Sequence, residues 1–114
     1  MRSFILSVSA DRWLTPIRNA VLAHAGYAVI PALTADSAMQ VLVHRHVSAM
    51  VIANSIPLRE RQLLCSEGRR RGVPAVILDR GEGAPDTAVE MHVDPADGPE
   101  VFLGVVAKAL EKLN

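Results

Sequence analysis

At 114 residues the chain has room for one domain around one hydrophobic core, spanning residues 1–114. Half of it is apolar, which excludes a disordered polymer. Twelve basic residues balance twelve acidic ones, which removes the overall field that would draw in nucleic acid or a membrane surface. Cys65 is the only cysteine, so no internal disulfide can form and a reducing, cytoplasmic setting is expected. No run approaches the ~18 apolar residues of a membrane span. The short apolar run after Arg2 is broken by serines and suits a β-strand better than a signal core.

Phe4 to Val8 reads as the first strand. A helix follows, opening at Asp11 or at Thr15-Pro16 and stopping at Gly26, with Leu14, Ile17, Val21 and Ala25 on one face. Tyr27 to Ile30 is a second strand, ended by Pro31, and Thr34 or Asp36 caps a second helix running to about Arg45. Ala49 to Ala53 is an unbroken apolar run of the doubly buried, central kind. Pro57 opens a loop and a third helix with Leu58, Leu63, Leu64 and Cys65 as its apolar positions, closed by Gly72-Val73-Pro74. Ala75 to Leu78 is a fourth strand. Asp79 to Thr87 holds Gly81, Gly83 and Pro85, which no helix interior tolerates. Val89 to Val93 is a fifth strand, and Gly98-Pro99-Glu100 begins a last helix with Val101, Phe102, Val105, Val106, Ala109, Leu110 and Leu113 inward. Strands alternating with helices imply a parallel sheet with right-handed crossovers, and the aliphatic composition suits a sheet covered on both faces.

Gly26-Tyr27-Ala28-Val29, Ala38-Met39-Gln40-Val41-Leu42, Ala49-Met50-Val51-Ile52 and Pro57 follow one another in a pattern that resembles the receiver domain of chemotaxis-type response regulators. Val73-Pro74-Ala75-Val76-Ile77-Leu78 looks like the receiver strand that begins Val-Pro-Val-Ile, and Asp94-Pro95 sits where that family has Lys-Pro. The resemblance covers essentially the whole chain. It implies a flavodoxin-like, three-layer, doubly wound α/β domain with five parallel strands in the order 2-1-3-4-5 and the first and last helices on one face.

A receiver takes a phosphoryl group onto an aspartate ending strand three, aided by Mg²⁺ on an acidic pair after strand one, a Ser/Thr after strand four and a Lys after strand five. In this chain the acceptor position is Ala53, and a one-residue slip would place Asn54 there. The acidic pair falls on Ser9 and Ala10, the hydroxyl position on Asp79 and the lysine position on Asp94. Every chemical position is replaced. The expectation is a degenerate pseudo-receiver: a phosphorylation-independent protein-interaction module in signalling or regulation, not an enzyme, without cofactor or resident metal. The alternatives are a small-ligand or cation-binding domain using the carboxyl edge of the sheet, or a receiver that docks to a histidine-kinase pathway without phosphotransfer.

Asp11, Asp79 and Asp94 all fall at carboxyl ends of strands, so a rebuilt three-carboxylate cation site is one reading; local capping or pairing with Arg12 or Arg80 is the other. Arg59, Arg61 and Arg69 to Arg71 read as a solvated helix end better than as a nucleic-acid contact. His24, His44, His46 and His92 make no metal pattern, Cys65 reads as a small core residue, and Gly81-Glu82-Gly83 lacks phosphate-loop spacing. Asp79 and Asp94 are fifteen positions apart, less than receivers allow for a fourth helix, which is therefore expected to be short or missing. Its loss would uncover one face of the fourth strand and make Ile77 and Met91 candidates for a homodimer or partner interface.

Overall fold

Apolar runs of four or five residues become strands only when neighbours satisfy their backbone, and the computed structural model, which describes residues 2–79 and 90–111, pairs five of them. They are β1 (Phe4–Val8), β2 (Ala28–Ala32), β3 (Ala49–Ala53), β4 (Ala75–Leu78) and β5 (Glu90–Val93). All pairings are parallel, in the order β2-β1-β3-β4-β5. Among the described residues four α-helices connect them: α1 (Leu14–His24), α2 (Ala35–His44), α3 (Leu58–Arg70) and α4 (Pro99–Glu111), with one 3-10 turn at Pro95–Asp97. Residues 80–89, on which the expectation of a shortened or missing helix falls, lie outside the described residues.

Alternation along each strand divides the core into two layers. Leu6, Met50, Ile52 and Ile77 face α2 and α3, meeting Leu42 and Leu64. Ile5, Val51, Ala53, Val76 and Leu78 face α1 and α4, meeting Leu22, Phe102 and Val106. The first and last helices thus share a face, as expected. β2 runs through Pro31 to Ala32, one turn of the pleat beyond the expected end at Ile30. It is the edge strand, and Pro31 is exposed, so its missing N–H costs the sheet nothing there.

The helices turn other faces inward than the apolar count suggests. α1 starts at Leu14, between the two expected starts, with Pro16 in its first turn where no N–H is needed. Its buried residues are Thr15 and Leu22, while Leu14 is 49% and Ile17 62% exposed. The cause lies in β1, where Ser7 and Ser9 share the α1-facing side with Ile5. Ser7 Oγ donates to Asn19 Oδ1 at 2.7 Å, and Thr15 Oγ1 donates to Ser9 Oγ at 2.7 Å. Two strand hydroxyls therefore pull the polar stripe Thr15–Asn19 inward and roll Leu14 and Ile17 out. Likewise Leu58, Leu63 and Val101, counted as core positions, are exposed.

The fourth strand requires a correction. Ile77 is only 3% exposed, and its neighbours Ala75, Val76 and Leu78 are buried too, so Ile77 offers no surface to a second chain. Met91 is half-buried and packs against the α1–α4 layer, opposite to Ile77. Register explains it: β5 sets Met91 beside Val76 and His92 beside Ile77, so the two candidates lie on different faces and cannot form one patch.

Candidate functional site

Ligands of open α/β sheets bind beyond the carboxyl ends of the strands, so that edge is the place to look for chemistry. β3 ends in Ala53, 1% exposed and packed in the layer of Val51, Val76 and Leu78. A buried methyl has no lone pair to offer phosphorus. Asn54, the neighbouring position, is exposed.

β1 ends in a knot of hydroxyls. Buried Ser9 Oγ accepts from Thr15 Oγ1 and, at 3.2 Å, from the Asp11 amide; it lies 3.3 Å from Ser55 Oγ in the turn after β3. Ser55 Oγ in turn accepts from the Ala10 amide at 3.0 Å, and Thr15 Oγ1 also reaches the Asp11 carbonyl. The network ties β1, α1 and the β3–α3 turn together without a formal charge. Mg²⁺ requires near-octahedral oxygen ligands and is normally held by carboxylates. Methyl groups at positions 10 and 53 and an internally engaged hydroxyl at position 9 do not fit that ion.

The three aspartates do not converge. Asp11 accepts from the amides of Trp13 (2.8 Å) and Leu14 (3.0 Å) and so caps the start of α1. Asp94 accepts from the Ala96 amide at 2.8 Å and caps the 3-10 turn. Asp79 is 3% exposed, with Oδ1 2.8 Å from His92 Nδ1 and Oδ2 3.4 Å from Arg61 Nη1. Arg61 Nε and His92 Nε2 are buried without a hydrogen-bond partner among the described residues. Among those residues no three His, Cys, Asp or Glu side chains gather where a metal ion could be held.

The amides of Leu14 and Trp13 hold the Asp11 carboxyl below its ordinary value, with Arg18 adding a smaller effect of the same sign. A lowered folded-state pKa contributes stability above the unfolded value and loses it as pH falls through the folded one. Asp11→Asn is therefore expected to be less stable than the parent at about pH 6, with the difference shrinking on acidification below about pH 4. Thermal unfolding of both proteins along a pH series measures it; a constant difference would contradict the assignment.

Of the residues singled out from sequence, Ser9, Ala10, Ala53 and Asp79 do line the same edge, whereas the grouping of Asp11, Asp79 and Asp94 dissolves into two caps and one buried cluster. Asp79 pairs with Arg61 and His92, which spacing did not suggest; Arg80, one proposed partner, lies outside the described residues. The arginines ending α3 are occupied locally: Arg71 Nε donates to Glu67 Oε1 at 2.8 Å and Arg70 Nη1 to Oε2 at 3.2 Å. The Arg71 hydrogen bond is the main reason the Glu67 carboxyl lies below its ordinary value. His24, His44 and His46 are exposed and Cys65 is buried.

No protein-family model matches the chain, and no curated protein matches it by sequence. Solved structures do. A sensor protein from Polaromonas sp. JS666 superposes with a TM-score of 0.83 at 18% identity, covering 100% of both chains. A CheY-like response regulator receiver domain protein from Methanospirillum hungatei JF-1 gives 0.80 at 16% identity, covering 99% of this chain and 97% of that one. This is the receiver fold. The chemotaxis protein CheY4 of Vibrio cholerae, a further receiver match, gives 0.79 at 15% identity, with 96% and 100% covered. Identities of this size carry the receiver fold and not its chemistry. No described helix is long and apolar enough to cross a membrane.

Proposed function

We propose that this chain is a pseudo-receiver: a protein-interaction module of signal transduction or regulation whose activity does not depend on phosphorylation. The observation that supports this most is Ala53, a buried methyl at the position where a receiver of this layout needs a nucleophilic carboxylate. The hydroxyl network around Ser9 adds weight, because its oxygens are spent on holding the edge closed. Phosphoryl transfer relies almost wholly on positioning and on charge stabilisation by metal and cationic groups, and positions 9, 10, 53 and 94 supply none of these. On this reading the domain is not an enzyme, and it acts through surfaces presented to a protein partner or to a second copy of itself.

Incubation with a small phosphodonor and Mg²⁺ is expected to leave the intact mass unchanged, and Ala53→Asp alone is expected to remain unmodified as well. A covalent phosphoryl adduct on the parent protein overturns the proposal. The cation-binding alternative is less well supported, since Asp11 and Asp94 already serve as helix caps.

A further inference from the structure

The inward roll of Thr15 and Asn19 leaves an apolar furrow between α1 and α4 that nothing in the described chain covers. Leu14, Ile17 and Val21 form one wall and Pro99, Phe102 and Leu103 the other, around a cavity of about 230 Å³ that continues along Ile17 and Val21 towards Leu103. Trp13, 86% exposed and the only tryptophan of the chain, directly precedes Leu14 of that wall in sequence. The other exposed aliphatic residues, such as Leu33 and Val43, are not part of this furrow, and single exposed residues of that kind need no explanation. A continuous apolar furrow whose first wall residue follows an exposed Trp is different, because such surfaces mark interfaces and Trp and Arg dominate their energetics.

The charges around the furrow indicate what covers it. Both helices begin at the carboxyl edge of the sheet. At that end the α1 side carries Arg12 and Arg18 beside the single carboxylate of Asp11, which keeps the flank net positive, and the α4 side carries Asp97 and Glu100. Among the described residues Arg12, Asp97 and Glu100 make no ion pair within the chain. A patch basic on one flank and acidic on the other matches its own copy under a two-fold rotation, the relation that isologous dimers require. With the axis parallel to the helices, α1 of one copy lies over α4 of the other, and the basic flank of each meets the acidic flank of its partner. With the axis across the helices, Arg12 would instead meet the end of α1 near His24, without complementarity. Gly104 adds an independent hint. A Cβ there would meet nothing within 4 Å, whereas one at Gly68 would strike Met50 Cε at 2.7 Å and the Val73 carbonyl oxygen at 2.8 Å. The chain itself thus gives no steric reason for so poor a helix former in the exposed middle of α4, and close approach of a second surface does. The molecule measures 34 × 28 × 26 Å, so this face can supply the ~800 Å² per partner of a stable interface.

We propose that the chain forms a parallel two-fold homodimer through the α1–α4 furrow, with Ile17 at its centre, Trp13 at its Leu14 end and Arg12 of each copy facing Glu100 of the other. This deepens the interaction-module reading by naming its partner and surface. Sedimentation of the full chain over a concentration series, with tryptophan emission recorded in parallel, tests it. The expected result is a dimer whose Trp13 emission shifts to the blue as it forms. Ile17→Asp should weaken association at least about thirtyfold, while Leu63→Asp, equally exposed on α3, should not change it. Arg12→Glu and Glu100→Arg should each weaken association, and the double variant should restore it. Far-UV circular dichroism verifies that each variant is folded. A monomer throughout the series, or a dimer indifferent to Ile17→Asp, overturns the proposal, as does a double charge reversal no tighter than either single one. These outcomes read association and leave the phosphoryl mass measurement untouched, so either proposal can fail alone.

Discussion

Asp79→Leu is expected to destabilise the domain by about 3–5 kcal/mol, because it removes a buried acceptor and leaves the partly buried Arg61 and His92 without the carboxylate they face. Burial is what makes the effect large. The Asp79 side chain is 3% exposed and Arg61 12%, so solvent cannot step in as it does for a surface pair worth about 1 kcal/mol or less. The double variant Asp79→Leu/Arg61→Leu should regain part of the loss, since apolar replacement of a whole buried pair is often neutral or stabilising. Urea denaturation with unchanged slope measures both. A loss below about 1 kcal/mol for the single variant would show that the cluster is far better hydrated than its burial implies.

Ala53→Asp is expected to cost about 3 kcal/mol or more at neutral pH while leaving the fold of surviving molecules intact. The new carboxylate would enter an apolar layer with Val51, Val76 and Leu78, where desolvation raises its pKa. A raised folded-state pKa makes the penalty small below the unfolded value, about pH 4, and larger as pH rises through it. Thermal unfolding of parent and variant at acid and neutral pH should therefore diverge upward in pH, the same direction as for Asp11→Asn but for the opposite reason: there the variant loses a favoured carboxylate, here it gains a disfavoured one. A pH-independent difference would mean that the side chain escapes to water. Restoring the acceptor thus works against the fold, and this is a second physical reason, besides the missing ligands, to expect no phosphotransfer from that variant.

The sheet was legible because each strand is a short apolar run set off by glycine, proline or polar residues, and because β3, Ala49 to Ala53, is apolar throughout as a central strand must be. The emptiness of the acceptor position was legible too, since a methyl at residue 53 is a matter of composition. The orientation of α1 was not. Counting apolar residues places Leu14 and Ile17 inward, and only the alternation Ile5, Ser7, Ser9 read against the spacing Thr15, Asn19, Leu22 shows polar groups meeting across the layer. That signal was present in the chain but required two elements to be read together. Asp79 was harder still: its partners lie 18 and 13 residues away on different elements, and such distances enter no local pattern. Ile77 misled for a related reason, since strand composition announces a need for cover without saying what supplies it.

The hydroxyl knot at Ser9, Thr15 and Ser55 has a consequence for how the domain can be controlled. A conformational switch needs two states that some ligand distinguishes by its differential affinity. An acidic pocket provides this naturally, because like charges repel until a cation or phosphoryl group rebalances them. A closed ring of neutral hydrogen bonds has no such stored repulsion, and neither ionic strength nor a chelator has anything to act on there. On the pseudo-receiver reading, the surface offered to a partner is set once at folding. How much of it is engaged then follows protein concentration by mass action, so that synthesis and turnover take the place of covalent signalling as the means of control.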